Sequence, residues 1–135
     1  MLTAGSSGRP AHAALLLRLA SGVMISAFGV GKFTGHAAEA AAFATYGVPF
    51  PNVSTYLVGV LEVGGGALIV LGLLTRPIAL ALAANFLVAI ATAGRIEGGP
   101  IHLGLAPTLL ATMVFLLWSG PGVKSLDRAL VRRWR

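Results

Sequence analysis

The sequence predicts an all-α fold: a four-helix transmembrane bundle, with a short outer-surface helix after the first span and a basic amphipathic helix at the C-terminus. Three observations carry this. The 135 residues are 56% hydrophobic and 10% charged, with a mean hydropathy of +0.86. Soluble domains carry about 25% charged residues, so lipid must be part of this chain's solvent. Four apolar runs approach the ~20 residues that a helix needs to cross a ~30 Å hydrocarbon core. The basic residues between them fall mostly on one side. Residues 1–135 read as a single integral membrane domain.

The spans lie at about 13–33, 53–74, 77–93 and 102–118, followed by a tail over 119–135. The first run, Ala13 to Phe33, is interrupted by Arg18 and Lys32 and lacks a small-x-small cleavage site. Both features argue against a cleaved signal peptide. Gly35 to Thr45 is alanine-rich and reads as a short helix on the outer surface, broken by Gly47-Val48-Pro49-Phe50-Pro51. Tyr46, Phe50 and Tyr56 cluster there as an aromatic belt. The second run, Val53 to Leu74, carries Glu62 near its middle. Pro77 opens the third run, where its missing N–H costs nothing. Pro107 lies inside the fourth and predicts a kink near its outer end. In the tail, Lys124, Arg128, Arg132 and Arg133 interleave with Leu126, Leu130 and Trp134, the pattern of a basic helix lying on an anionic leaflet.

With four spans, Arg9, Arg18, Arg76, Lys124, Arg128, Arg132, Arg133 and Arg135 share one side, and the other holds only Lys32 and Arg95. The positive-inside rule then puts both termini in the cytoplasm.

The net charge of +6 raises a nucleic-acid reading. The charges flank apolar segments and form no stripe interleaved with aromatics, so no nucleic-acid partner is expected. There is no cysteine, which excludes disulfides, thiol redox chemistry and cysteine-ligated clusters. His12, His36 and His102 are too scattered for a metal motif, so no metal site is expected. Gly64-Gly65-Gly66 lies inside a span and is no phosphate loop, which needs a preceding strand.

Polar residues within the spans carry the functional signal. An acidic side chain at mid-membrane costs roughly 2.5–3.5 kcal/mol, so Glu62 needs a purpose. At 1.5 Å per residue, Glu62 sits roughly 13 Å below the outer surface, Asn85 roughly 12 Å, Ser26 roughly 10 Å and Thr108 roughly 9 Å, with Thr112 a turn deeper. Lys32, His36, Arg95, Glu97 and His102 lie above that layer, and the core beneath it is apolar down to Arg18 and Arg76. A pocket opening outward follows. Arg18, Gly22, Ser26, Gly29 and Lys32 share one face of the first span, and Gly59, Glu62, Gly65 and Gly66 share one face of the second. Small residues let membrane helices approach closely, so these faces should meet and bring Glu62 toward Lys32. Glu62, Lys32, Asn85, His102 and Ser26 are the candidate ligand-binding or proton-relay residues. Arg18 and Arg76 read as structural or topological.

Several blocks resemble the DoxX-like family of small bacterial membrane proteins. They are Leu17-Arg18-Leu19, Phe28 and Gly31-Lys32-Phe33; Gly47-Val48-Pro49-Phe50-Pro51; Gly59-Val60-Leu61-Glu62-Val63-Gly64-Gly65-Gly66; and Leu71-Gly72-Leu73-Leu74-Thr75-Arg76. The resemblance runs from about Ala13 to Asp127, and the positions matching its pattern include Arg18, Lys32, Glu62 and Arg76. It implies a four-helix bundle in the bacterial inner membrane. It also implies association with thiosulfate:quinone oxidoreduction, terminal oxidases, other oxidoreductase complexes or oxidative-stress responses. Electron transfer from thiols, known in related four-helix folds, does not carry over to a chain without cysteine.

Two functions follow as expectations. The first is a membrane subunit of an oxidoreductase system that binds a quinone or other lipophile in the outward pocket, with a soluble or membrane redox partner and no intrinsic cofactor. The second is a non-catalytic assembly or anchoring subunit whose polar layer only fixes helix packing. A permease ranks last, since four short helices leave little room for alternating access and no inverted repeat is evident. The lipid bilayer is the expected surrounding partner, and a homo-oligomer is a further expectation.

Overall fold

In a computed structural model of the chain, residues 9–122 and 124–134 are described, with side chains from His12 onward. The expectations for residues 1–8, the Arg9 side chain, Val123 and Arg135 lie outside the described residues. Among those described there are helices and no strand. They are α1 (Arg9–Thr34), α2 (His36–Thr45), α3 (Pro51–Leu71), α4 (Thr75–Ala89), α5 (Ala106–Ser119) and α6 (Leu126–Arg133). π-helical turns extend α4 over Ile90–Gly94 and precede α5 over Ile101–Leu105. Among the described residues, four helices are long and apolar enough to cross a membrane: His12–Thr34, Pro51–Leu71, Thr75–Gly94 and Ile101–Ser119.

Boundaries follow local chemistry. α3 opens two residues before the expected Val53, with Pro51 in its first turn, where no N–H is needed. It stops at Leu71, three residues short of expectation, because Gly72 takes a left-handed conformation at φ 69°. The Gly72 N–H donates to Ile69 O at 3.1 Å and the Leu73 N–H to Leu68 O at 3.0 Å, the paired bonds of a Schellman end. Leu74 is also left-handed, at φ 51°, which is unusual for a side chain of its kind. Asp127 holds it there: its Oδ1 accepts from Leu74 N at 2.7 Å and its Oδ2 from Thr75 N at 2.8 Å, capping α4. Pro107, where a kink is expected, lies in the first turn of α5, directly after the π turn over Ile101–Leu105. Pro107 has no N–H to offer one turn back, and the ladder there widens.

The two expected small-residue faces meet. Gly22 and Gly66 press together so closely that a Cβ at Gly66 would lie 2.6 Å from Gly22 O, and one at Gly29 would lie 2.7 Å from Val63 N. The remaining core is apolar, built by Ile25, Ile69, Leu82, Phe86, Leu109 and Met113 around the α1–α3 and α4–α5 pairs. Outside it, Leu16, Leu57, Val60, Leu80, Leu87 and Val114 are exposed, as lipid-facing positions should be.

At the end bearing the termini, Arg18 is 1% exposed. Its Nε donates to Ile69 O at 3.1 Å, Nη2 to Val70 O at 3.2 Å and Lys124 O at 3.1 Å, and Nη1 to Pro121 O at 2.6 Å. One guanidinium thus serves two carbonyls of the last turn of α3 and fastens the segment leading to α6. Arg76 donates to Trp118 O at 3.4 Å, linking α4 to the end of α5.

Candidate functional site

At the α2 end the helices part around a cavity of about 420 Å³, within the range of small-molecule sites. Every helix except α6 contributes to its wall: Phe28 and Lys32 from α1, Glu39 and Phe43 from α2, Val58 and Glu62 from α3, Asn85 and Phe86 from α4, and Leu109 from α5. Both π turns line it too, through Thr92, Ala93, Ile101, His102 and Leu105. Such turns recur at functional sites.

Glu62 forms part of this wall and is 6% exposed. Lys32 Nζ donates to its Oε2 at 3.3 Å, and Asn85 Nδ2 to its Oε1 at 3.4 Å. One carboxylate therefore joins α1, α3 and α4, and each oxygen has a different partner. Gly59 makes this approach feasible, since a Cβ there would lie 3.2 Å from Lys32 Cβ. Lys32 and Asn85 keep further N–H donors beyond the one each directs at Glu62.

A second polar group stands at the rim. Tyr46 donates its hydroxyl to Glu97 Oε2. The bond and the neighbouring carboxylates of Glu97 and Glu39 favour the protonated phenol, whose pKa is pushed up to about 12. His102 Nδ1 lies 3.3 Å from Gly98 O and 3.8 Å from Glu97 Oε2. The Gly98 contact calls for a proton on Nδ1 and leaves Nε2 as an acceptor. The His102 ring meets Tyr46 edge-on at 5.9 Å. α2 and the α4–α5 connection are thus tied across the cavity mouth.

Of the sequence candidates, Glu62, Lys32, Asn85 and His102 come together on one cavity. Ser26 does not line it. Its hydroxyl donates to Val63 O at 3.1 Å in the α1–α3 seam. Thr108 and Thr112 donate to carbonyls of their own helical run, Gly104 O and Thr108 O. His36 stacks on Tyr56 at 3.8 Å and contacts Asn52 O. Among the described residues no group of His, Asp and Glu is arranged to hold a metal ion. Glu39 joins the site without having been singled out in the sequence; its only signal was position, on the helix expected to cover the outer end. Tyr46, read in the sequence as part of an aromatic belt, joins the site as well.

Four apolar spans around a partly polar cavity define a small polytopic membrane protein. The family model for DoxX matches residues 13–95, and the chain belongs to that family. It is 33% identical to the uncharacterized membrane protein Rv3486 of Mycobacterium tuberculosis, over 88% of this chain and 82% of that one. It is 34% identical to the inner membrane protein YqjF of Escherichia coli, over 89% of this chain and 93% of that one. No solved structure matches.

Proposed function

We propose that this protein binds a lipophile, a quinone first among them, in the cavity at the α2 end, and serves there as the membrane subunit of an oxidoreductase system. The observation that carries the reading is the composition of the cavity wall. It is mainly apolar and aromatic, and its polar groups are concentrated at Glu62, Lys32 and Asn85 and at the rim. Apolar walls with a few convergent polar groups suit a ligand with a hydrophobic body and a small polar head.

A quinone head fits these donors. The spare N–H groups of Lys32 and Asn85 would hold a carbonyl oxygen, and Phe28, Phe86 and Leu109 would pack against the ring and tail. When bound, such a head supplies two-electron, two-proton redox chemistry. The chain's own part is to hold a proton at a Glu62 oxygen, pass it toward His102 at the rim, and keep bulk water from the cavity floor. The chain has no cysteine, so electrons would come from a partner protein.

The orientation belongs to the same proposal. The eight-to-two distribution of Lys and Arg supports cytoplasmic termini and a cavity facing the other side. The similarity to an inner membrane protein of Escherichia coli supports the bacterial inner membrane.

The test is equilibrium binding of a short-chain benzoquinone to the protein in nanodiscs, for wild type and Glu62→Gln. Saturable binding that is lost in a folded Glu62→Gln supports the proposal. One observation favours a second reading, an assembly or anchoring subunit: both Glu62 oxygens are already engaged by neighbouring helices. That reading expects no saturable binding in either protein.

A further inference from the structure

We propose that, beside an uncharged quinone, the cavity takes amphiphiles with a cationic head and holds them more tightly than uncharged or anionic analogues of the same shape. This rests on the reading of the cavity as a lipophile site and ranks its ligands by charge. The chain carries ten basic and four acidic side chains, and the cavity inverts that ratio. Glu39, Glu62 and Glu97, three of the four carboxylates, line it against one basic side chain, Lys32. A basic protein has gathered nearly all of its negative charge around one opening.

These carboxylates are not equally neutralised. Glu62 is balanced by Lys32 at 3.3 Å. Glu97 accepts from Tyr46, a bond that leaves its charge in place, and its ring neighbour His102 is 3.8 Å away. Glu39 is half-buried in the wall, and its side chain makes no hydrogen bond or ion pair among the described residues. Phe43 and Tyr46 stand on the same part of the wall. Aromatic faces attract cations, and a charge interacts more strongly in a partly desolvated cleft than in water. A cationic head at the rim would meet Glu39 and Glu97 over these rings while its apolar body filled the space toward Phe86 and Leu109. An anionic head would meet the Glu39 carboxylate, which no hydrogen bond or ion pair offsets among the described residues, and beside it Glu97, 3.8 Å from His102.

The test uses the full chain in phosphatidylcholine nanodiscs and four probes. They are benzyltrimethylammonium, its neutral carbon isostere neopentylbenzene, benzylsulfonate, and a short-chain benzoquinone. The expected result is saturable binding of the ammonium probe, at least about tenfold tighter than the isostere, with no binding of the sulfonate. Glu39→Gln should weaken the ammonium probe about tenfold and leave the melting temperature unchanged. Equal or tighter binding of the isostere would overturn the charge selection and leave the lipophile reading standing, which the benzoquinone tests on its own. An unchanged ammonium affinity in Glu39→Gln would overturn the charge selection as well. No binding of any probe would overturn both.

Discussion

Glu62 shows how one residue can be both costly and useful. Its carboxylate is held by an ammonium from α1 and an amide from α4, and the two partners are not equivalent. Lys32 lies two residues from the end of α1, so without Glu62 its long stem can carry the ammonium to the interface. Glu62 has no such escape. Lys32→Met should therefore destabilise the protein by about 3 kcal/mol, the scale for a buried charge left without its partner. Glu62→Gln, which keeps an acceptor for Asn85, should change stability by less than about 1 kcal/mol. Unfolding in mixed micelles compares the two, and the double variant should recover most of the Lys32→Met loss. At the rim, Tyr46 should ionise near pH 12 by ultraviolet titration and return toward about 10 in Glu97→Gln. The raised value means that the phenol's contribution to stability is complete below about pH 10 and fades as pH rises through 12. Glu62 was legible in the sequence because a carboxylate inside an apolar run has no ordinary explanation. Glu39 was not, because on a surface helix a carboxylate looks solvated until the fold turns it toward a cavity, and Tyr46 read only as an aromatic of the interfacial belt.

Among the elements, the α1–α3 seam was the most legible. Glycines at three- and four-residue spacing on both runs could hardly face anything but each other. Gly66→Ala should push the two helices apart and cost about 1–3 kcal/mol, because its Cβ would meet Gly22 O at 2.6 Å. Gly64→Ala, where a Cβ meets nothing within 4 Å, should be neutral or stabilise by up to about 1 kcal/mol through helix propensity. Thermal unfolding of the two variants checks the contrast. The π turns were not legible as such. Pro107, Gly94 and the Gly98-Gly99-Pro100 break signal a disturbed ladder, but they do not say whether it tightens, kinks or widens. Ser26 illustrates another limit: it shares the glycine face that packs against α3, and there its hydroxyl donates to Val63 O instead of lining the cavity.

For the whole molecule, hydropathy and length were enough to count the spans. The ends needed more. The Schellman stop at Gly72 and its lock by Asp127, 55 residues later, depend on a long-range contact. No local pattern announces such a contact. The topology makes an expectation at this scale. A fluorescent protein fused after Arg135 should fluoresce, and a reporter active only outside the cytoplasm should work when inserted near Gly47 and fail at the C-terminus. The reverse pattern would place the cavity in the cytoplasm. The central claim is that the cavity floored by Glu62 holds a lipophile. It is tested most directly by organic extraction and mass spectrometry of the purified, reconstituted protein, comparing wild type with Glu62→Gln. The account expects a stoichiometric lipophile in wild type, absent from a Glu62→Gln protein that is still folded. No lipophile in either, with a marked loss of stability in the variant, would contradict it and make Glu62 a packing element.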